Sequence, residues 1–300
     1  MDRRRHFLSL ADYTQQEILE LLSRANELKK GFPGPGLPLP LEGRSIGMIF
    51  EKPSTRTRIS FEVGIRQLGG HSIFLNRNEI QMGRGEPIRD TARVLSRYLD
   101  GVVIRTYGQE ILEEFAAWSS VPVINALSDL LHPCQVLGDL FTLQEAGLDI
   151  RTMRAAWIGD GNNMACSWIN AAERLGFSLA LACPGGYDPA VRFTSPKIRI
   201  TRDPREAVRD ADVVSTDVWA SMGQESEIEI RSKVFKDFQV NFELLEHVGK
   251  SAFVLHCLPA HRGEEITEEV MESKQSLVWE EAENRLHVQK AILERLCGNR

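Results

Sequence analysis

From Thr14 to Lys30 the apolar residues Ile18, Leu21, Leu22, Ala25 and Leu28 return at helical spacing and make one face, which predicts an amphipathic helix. Thr14 and Glu17 form a capping-box pair at its start, and Gly31 ends it. Residues 31–40 are rich in Gly and Pro and read as loop. Beyond them the pattern changes to short apolar runs separated by longer helical segments. Runs at 45–50, 72–75, 102–106 and 121–125 predict a first series of strands. Runs at 155–159, 178–182, 197–201, 213–216 and 253–257 predict a second. Strand and helix alternating in this way indicate an α/β chain of two domains, each a mainly parallel sheet flanked by helices. A helix over 132–146 joins the two series, so the first domain is expected over 1–146 and the second over 147–281. A last helix, within 282–300, is expected to pack back on the first domain.

Three hundred residues suit two cores of about 150 residues each. A net charge of -6 argues against a nucleic-acid partner or an anionic membrane, and the Arg3-Arg4-Arg5 cluster reads as a solvated end. No apolar run approaches the ~20 residues that span a bilayer, and the first residues lack a secretory signal. Cys134, Cys166, Cys183, Cys257 and Cys297 include no C-x-x-C pair, so reduced thiols and a cytoplasmic location are expected.

Ligands of open parallel sheets sit beyond the carboxyl ends of the strands, which directs attention to the loops after residues 50, 106, 125, 159, 216 and 257. The first reads Glu51-Lys52-Pro53-Ser54-Thr55-Arg56-Thr57-Arg58. Hydroxyls beside the free N–H groups of a helix start, with arginines able to clamp in bidentate fashion, suit a phosphate. The same residues also suit a capped helix with surface arginines, and the loop lacks the P-loop pattern.

Arg105, His132-Pro133-Cys134-Gln135 and His256-Cys257-Leu258-Pro259 follow at later strand ends. Ser-Thr-Arg-Thr, His-Pro-Cys-Gln and His-Cys-Leu-Pro, in that order, resemble the aspartate/ornithine carbamoyltransferase family. The segment Asp217-Val218-Trp219-Ala220-Ser221-Met222-Gly223 resembles the loop that this family's ornithine branch uses for its amino acid. The resemblance runs from Leu8 to the last helix. It implies a carbamoyl phosphate-binding first domain, an ornithine-binding second domain and an active site in the cleft between them. Ser54, Thr55, Arg56, Thr57 and Arg105 would hold the phosphate, with His132, Pro133, Cys134 and Gln135 at the carbamoyl end and Gln81 reaching in from a loop. Cys257 and Leu258 would line the reacting centre and Arg285 would close it. Asn163, Asp217, Ser221 and Met222 would hold ornithine.

The implied reaction moves the carbamoyl group of carbamoyl phosphate to the δ-amine of ornithine, giving citrulline in arginine metabolism, with synthesis and breakdown both open as its direction. Arg56, Arg105, His132 and Cys257 would be its catalytic residues. The reaction needs no cofactor and no metal, because arginines supply the positive charge. The resemblance also implies a homotrimer in which residues 76–85 reach a neighbouring site. Related acceptors, namely acetylornithine, putrescine and aspartate, fit residues 217–222 less well. Acetylornithine and putrescine lack the α-ammonium group, and aspartate needs cations for its second carboxylate.

Three other readings compete. Trp157-Ile158-Gly159-Asp160-Gly161-Asn162-Asn163 has the start of a dinucleotide fingerprint, but Met164 takes its third glycine position and the next strand ends without an acid. His256, Cys257 and His261 could ligate a metal, although their spacing fits no common zinc pattern. A non-catalytic subunit would be expected to lack some of Arg56, His132 and Cys257, and all are present.

Overall fold

The computed structural model describes residues 6–31, 39–76, 85–220 and 225–299, Glu225 by its backbone alone. Two compact units result: the first runs to Phe141 and resumes at Asn284, and the second is Thr142–Glu283.

In the first unit the strands are β1 (Ser45–Phe50), β2 (His71–Asn76), β3 (Gly101–Arg105) and β4 (Val123–Leu127). They form a parallel sheet in the order β2-β1-β3-β4. The helices are α1 (Gln15–Gly31), α2 (Thr55–Gln67), α3 (Ile88–Leu95), α4 (Gln109–Trp118) and the start of α5 (Pro133–Glu145), with most of α11 (Val278–Cys297). Strand β4 starts two residues later than the expected 121–125 because Pro122 has no N–H to give the ladder. Its carbonyl still accepts from the Val102 N–H at 2.8 Å.

Helix α1 opens with the expected reciprocal cap: Thr14 N–H donates to Glu17 at 2.9 Å and Glu17 N–H to the Thr14 hydroxyl at 3.2 Å. Its five periodic apolar residues are all buried. On its other side Arg24 pairs with Glu294 of α11 through two hydrogen bonds of 2.6 and 2.9 Å. One sheet face is closed by Ile49, Val102, Ile104 and Val123 packing with Ala92 of α3 and Leu112 and Phe115 of α4.

The second unit contains β5 (Arg154–Ile158), β6 (Ser178–Ala182), β7 (Ile198–Thr201), β8 (Val213–Thr216) and β9 (Phe253–His256). All pair in parallel, in the order β7-β6-β5-β8-β9. Its helices are α6 (Asn163–Leu175), α7 (Pro204–Val208), α8 (Ile228–Phe235), α9 (Phe242–Glu246) and α10 (Glu268–Met271). Ala156, Ile158, Val214, Val254, Trp219, Phe235 and Ile266 share its core. The two-domain parallel α/β architecture read from the sequence is the one observed.

Each sheet reverses its strand order once, between β1 and β3 in the first and between β5 and β8 in the second. A loop leaving one strand there diverges from the loop leaving the next, which opens a crevice at the carboxyl edge. The motif loops after β1 and β3, and those after β5 and β8, lie at these two places.

Candidate active site

In the first unit, Ser54 caps α2 by accepting the Thr57 N–H at 3.2 Å. Thr55 is exposed, Ser54 and Arg56 are half-buried, and Thr57 is fully buried. Arg285 of α11 donates to the Thr57 hydroxyl oxygen at 2.7 Å. A hydroxyl that accepts one hydrogen bond retains its own proton for another acceptor. Arg105 ends β3 and is buried, and its carbonyl accepts the Glu51 N–H at 2.8 Å.

His132 stands just before α5, whose first residue, Pro133, has the fixed φ that a helix start needs. The His132 carbonyl accepts from Gln135 N–H at 3.1 Å. Burial holds its pKa well below 6.5, and Arg285, Arg105 and Arg56 push it further down. The imidazole is therefore neutral, a hydrogen-bonding group and not a proton store. Three of the expected site arginines thus act electrostatically on His132.

Cys134 and Gln135 also have partners within the unit. The Cys134 thiol is fully buried, donates to the Asn125 carbonyl at 3.3 Å and is pushed up to about 12 by burial. Gln135 donates its side-chain amide to Asp139 at 2.9 Å, one turn along α5. Gln81 lies outside the described residues.

Lys52 was not singled out by the sequence. It is buried at the end of β1, 4.3 Å from the Tyr107 ring centre, and is paired with Asp129. Those three residues follow β1, β3 and β4, so the pair braces the loops that carry the site.

In the second unit, Asp217 follows β8 and is buried. It accepts from Asn162 Nδ2 at 2.8 Å, from the Val218 N–H at 2.8 Å and from the Cys257 thiol at 3.2 Å. Among the described residues no lysine or arginine pairs with it. A buried carboxylate held by neutral donors retains an unmet demand for a cation. Asn162, which the sequence reading passed over, caps α6 through Met164 and Ala165 N–H while holding Asp217. Asn163 is the next residue, half-buried at the helix start. Ser221 and Met222 lie outside the described residues.

Gly159 turns the chain at φ +129° after β5, a conformation open to glycine. Gly161 is required by packing, because any Cβ there would collide with the backbone of Tyr187, Asp188 and Pro189. The glycines of this segment thus serve the turn and the chain behind it, and β6 supplies no acid for a ribose.

Arg231 of α8 lies in the charged segment 225–236 and is buried. It donates to Asp160 at 2.9 Å, to the Trp219 carbonyl at 2.8 Å and to Glu227 at 2.8 Å. Burial raises the Asp160 pKa despite this partner. The arginine ties the start of the 217–220 segment to the loop after β5.

Leu258 follows Cys257 in the left-handed region, at φ +56°. Potential ligand atoms of Asp217, His256 and Cys257 lie within 4.8 Å of one another. Both ring nitrogens of His256 are engaged, however, with Leu258 N–H at 2.9 Å and Glu265 at 3.0 Å. His261 with Glu264 and Glu265 is a second such group, in which Glu265 is already committed to His256 and to the His261 N–H.

Residues 5–145 match the model of the aspartate/ornithine carbamoyltransferase carbamoyl-P binding domain, and residues 151–296 match that of the family's Asp/Orn binding domain. The chain belongs to the aspartate/ornithine carbamoyltransferase family. An ornithine carbamoyltransferase of Geobacter metallireducens is 58% identical over 300 residues, covering 96% of this chain and 98% of that protein. The anabolic ornithine carbamoyltransferase of Pseudomonas aeruginosa is 54% identical over 295 residues, with 97% of each covered. Among solved structures, the ornithine carbamoyltransferase of Pyrococcus furiosus superposes with a TM-score of 0.91 at 46% identity, over 97% of this chain and 96% of that one. Family membership therefore rests on both halves of the chain; the Ser-Thr-Arg-Thr motif and the Asp217 segment stand at the two order reversals, and the His132 and His256 motifs follow the edge strands β4 and β9. Among the described residues no helix is long and apolar enough to cross a membrane.

Proposed function

We propose that this chain is an ornithine carbamoyltransferase, which moves the carbamoyl group of carbamoyl phosphate onto the δ-amine of L-ornithine to give L-citrulline and phosphate. The observation that carries the reading is that Arg285 donates to the buried Thr57 hydroxyl at 2.7 Å and, with Arg105 and Arg56, acts electrostatically on the buried His132 imidazole. Carbamoyl phosphate places two charges there, one on its phosphate and one that develops on the carbonyl oxygen. Fixed donors aimed at a developing charge are worth ~2.7–4 kcal/mol each.

Ser54, Thr55, Arg56 and Thr57 hold the phosphate. Arg105, Thr57 and neutral His132 donate to the carbonyl oxygen. The amine nitrogen attacks the carbonyl carbon and the carbon–oxygen bond to phosphate breaks, taking the electron pair onto the leaving group. The nitrogen gives up a proton, for which the departing phosphate is an acceptor of rising basicity. No covalent enzyme intermediate is required, and Cys257 serves as a hydrogen-bonding neighbour of the amine. Asp217, with its unmet demand for a cation, pairs with the α-ammonium group, and Asn163 donates to the α-carboxylate. Ser221 and Met222 complete that end in this reading.

The chain works in the cytoplasm, in the direction of arginine synthesis, and assembles as a homotrimer. Support for assembly comes from the family and from Ile59 on α2 and Ile73 on edge strand β2, both exposed. Formation of the carbamoylated acceptor from carbamoyl phosphate should be strong with ornithine, giving citrulline, and weak with aspartate, acetylornithine or putrescine. Preference for another acceptor would overturn the assignment. Sedimentation should give three copies, and mixing inactive Gln81→Ala and Arg56→Ala chains should restore activity if Gln81 acts in a neighbour's site.

A further inference from the structure

His256 closes β9 with its side chain fully buried. Its Nδ1 accepts the Leu258 N–H at 2.9 Å. A backbone amide can only donate, so Nδ1 carries no proton and the ring proton resides on Nε2. Nε2 lies 3.0 Å from Glu265 and donates to it. The same carboxylate oxygen accepts the His261 N–H at 2.6 Å. The His256 N–H, in turn, donates to Glu281 at 2.9 Å. Residues 256–261 are thus pinned at both ends, through one imidazole and one carboxylate, and the turn they pin contains Leu258 in the left-handed region that leucine rarely adopts.

We propose that His256 is a positioning residue: as the neutral Nε2–H tautomer, wedged between Glu265 and the Leu258 amide, it sets the Cys257–Leu258 turn and so aims the Cys257 thiol at Asp217. An imidazolium, or the other tautomer, would oppose two donors at Nδ1 and release the turn. The link to turnover rests on the function proposed above; the tautomer and the turn do not.

Asparagine and glutamine separate the two ends of the ring. The side-chain oxygen of His256→Asn can take the place of Nδ1 and keep the Leu258 bond, whereas His256→Gln can keep the bond to Glu265 and lose the one to Leu258. Nitrogen-15 spectra of the intact enzyme should show the histidine signal lost in His256→Asn with a bare Nδ1 and a protonated Nε2. The opposite tautomer, or an imidazolium, would overturn the proposal.

Cys257 gives a readout independent of turnover, because the other four cysteines are buried. Its alkylation rate should shift by about tenfold or more in His256→Gln, the scale expected for losing a buried hydrogen bond, and by less than about threefold in His256→Asn. The kcat should follow the same ranking, with the KM for carbamoyl phosphate unchanged. Equal effects of both substitutions, matched by equal losses in Tm, would reduce His256 to a core plug. An inactive wild type would sink the proposed function, and the spectra and alkylation rates would still decide the role of His256.

Discussion

Arg285 donates to the Thr57 hydroxyl at 2.7 Å across 228 positions of sequence. That bond uses the oxygen as an acceptor and directs its proton elsewhere, as a donor to a developing oxyanion requires. Thr57→Val keeps the shape and removes the bond. It should lower kcat by about 10²-fold, with a loss of about 1–3 kcal/mol in stability from the buried guanidinium. Steady-state kinetics and melting curves give both values, and an unchanged kcat would refute the donor role.

Arg56→Ala should reduce kcat by ~10²-fold or more while the fold stays intact, since its contact strengthens as the phosphate leaves. A near-normal kcat with normal carbamoyl phosphate binding would exclude Arg56 from the phosphate site.

Asp217→Asn should raise the KM for ornithine far more than that for carbamoyl phosphate, because the lost charge answers only the α-ammonium group. If both constants rise together, Asp217 acts through the Asn162, Val218 and Cys257 bonds that shape its loop.

The His132 pKa lies well below the 6.5 of the unfolded chain, first through burial and then through Arg285, Arg105 and Arg56. On acidification the unfolded state takes the proton first. The associated stability is therefore complete above about pH 6.5 and is lost as pH falls below it. His132→Gln lacks this dependence, so its Tm should gain on the wild type between pH 6.5 and 5 and run parallel to it from pH 7 to 8. Parallel curves over the whole range would mean an ordinary histidine.

Arg231→Met leaves Asp160 buried without its cation and should cost about 3–5 kcal/mol. Denaturant melts should show Asp160→Asn restoring part of that loss in the double variant. Additive losses would show that the 2.9 Å pair contributes no coupling.

Much of this was readable from local pattern. The Thr14–Glu17 cap, the buried face of α1 and the bounds of β1, β6 and β8 depend on residues near one another in sequence, where periodicity and capping chemistry act. The Ser54 and His132 loops were also legible, as motifs at strand ends. Arg231 was not. A lone arginine in a charged stretch resembles a solvated one, and its role comes from Asp160, 71 positions away. Lys52 escaped for the same reason, its partner Asp129 lying 77 positions away. Cys134 and Gln135 sat in a recognisable motif, but only the fold shows their bonds to Asn125 and Asp139.

The first unit joins a stretch ending at Phe141 to one beginning at Asn284. A ribosome making this chain must therefore translate the whole second unit before Arg285 can meet Thr57. A nascent chain stalled short of residue 284 would carry the Ser54–Thr57 loop, Arg105 and His132 but only part of their electrostatic surroundings. Competence to bind the anion should thus arrive late in synthesis, after the 142 residues from Thr142 to Glu283 have been translated.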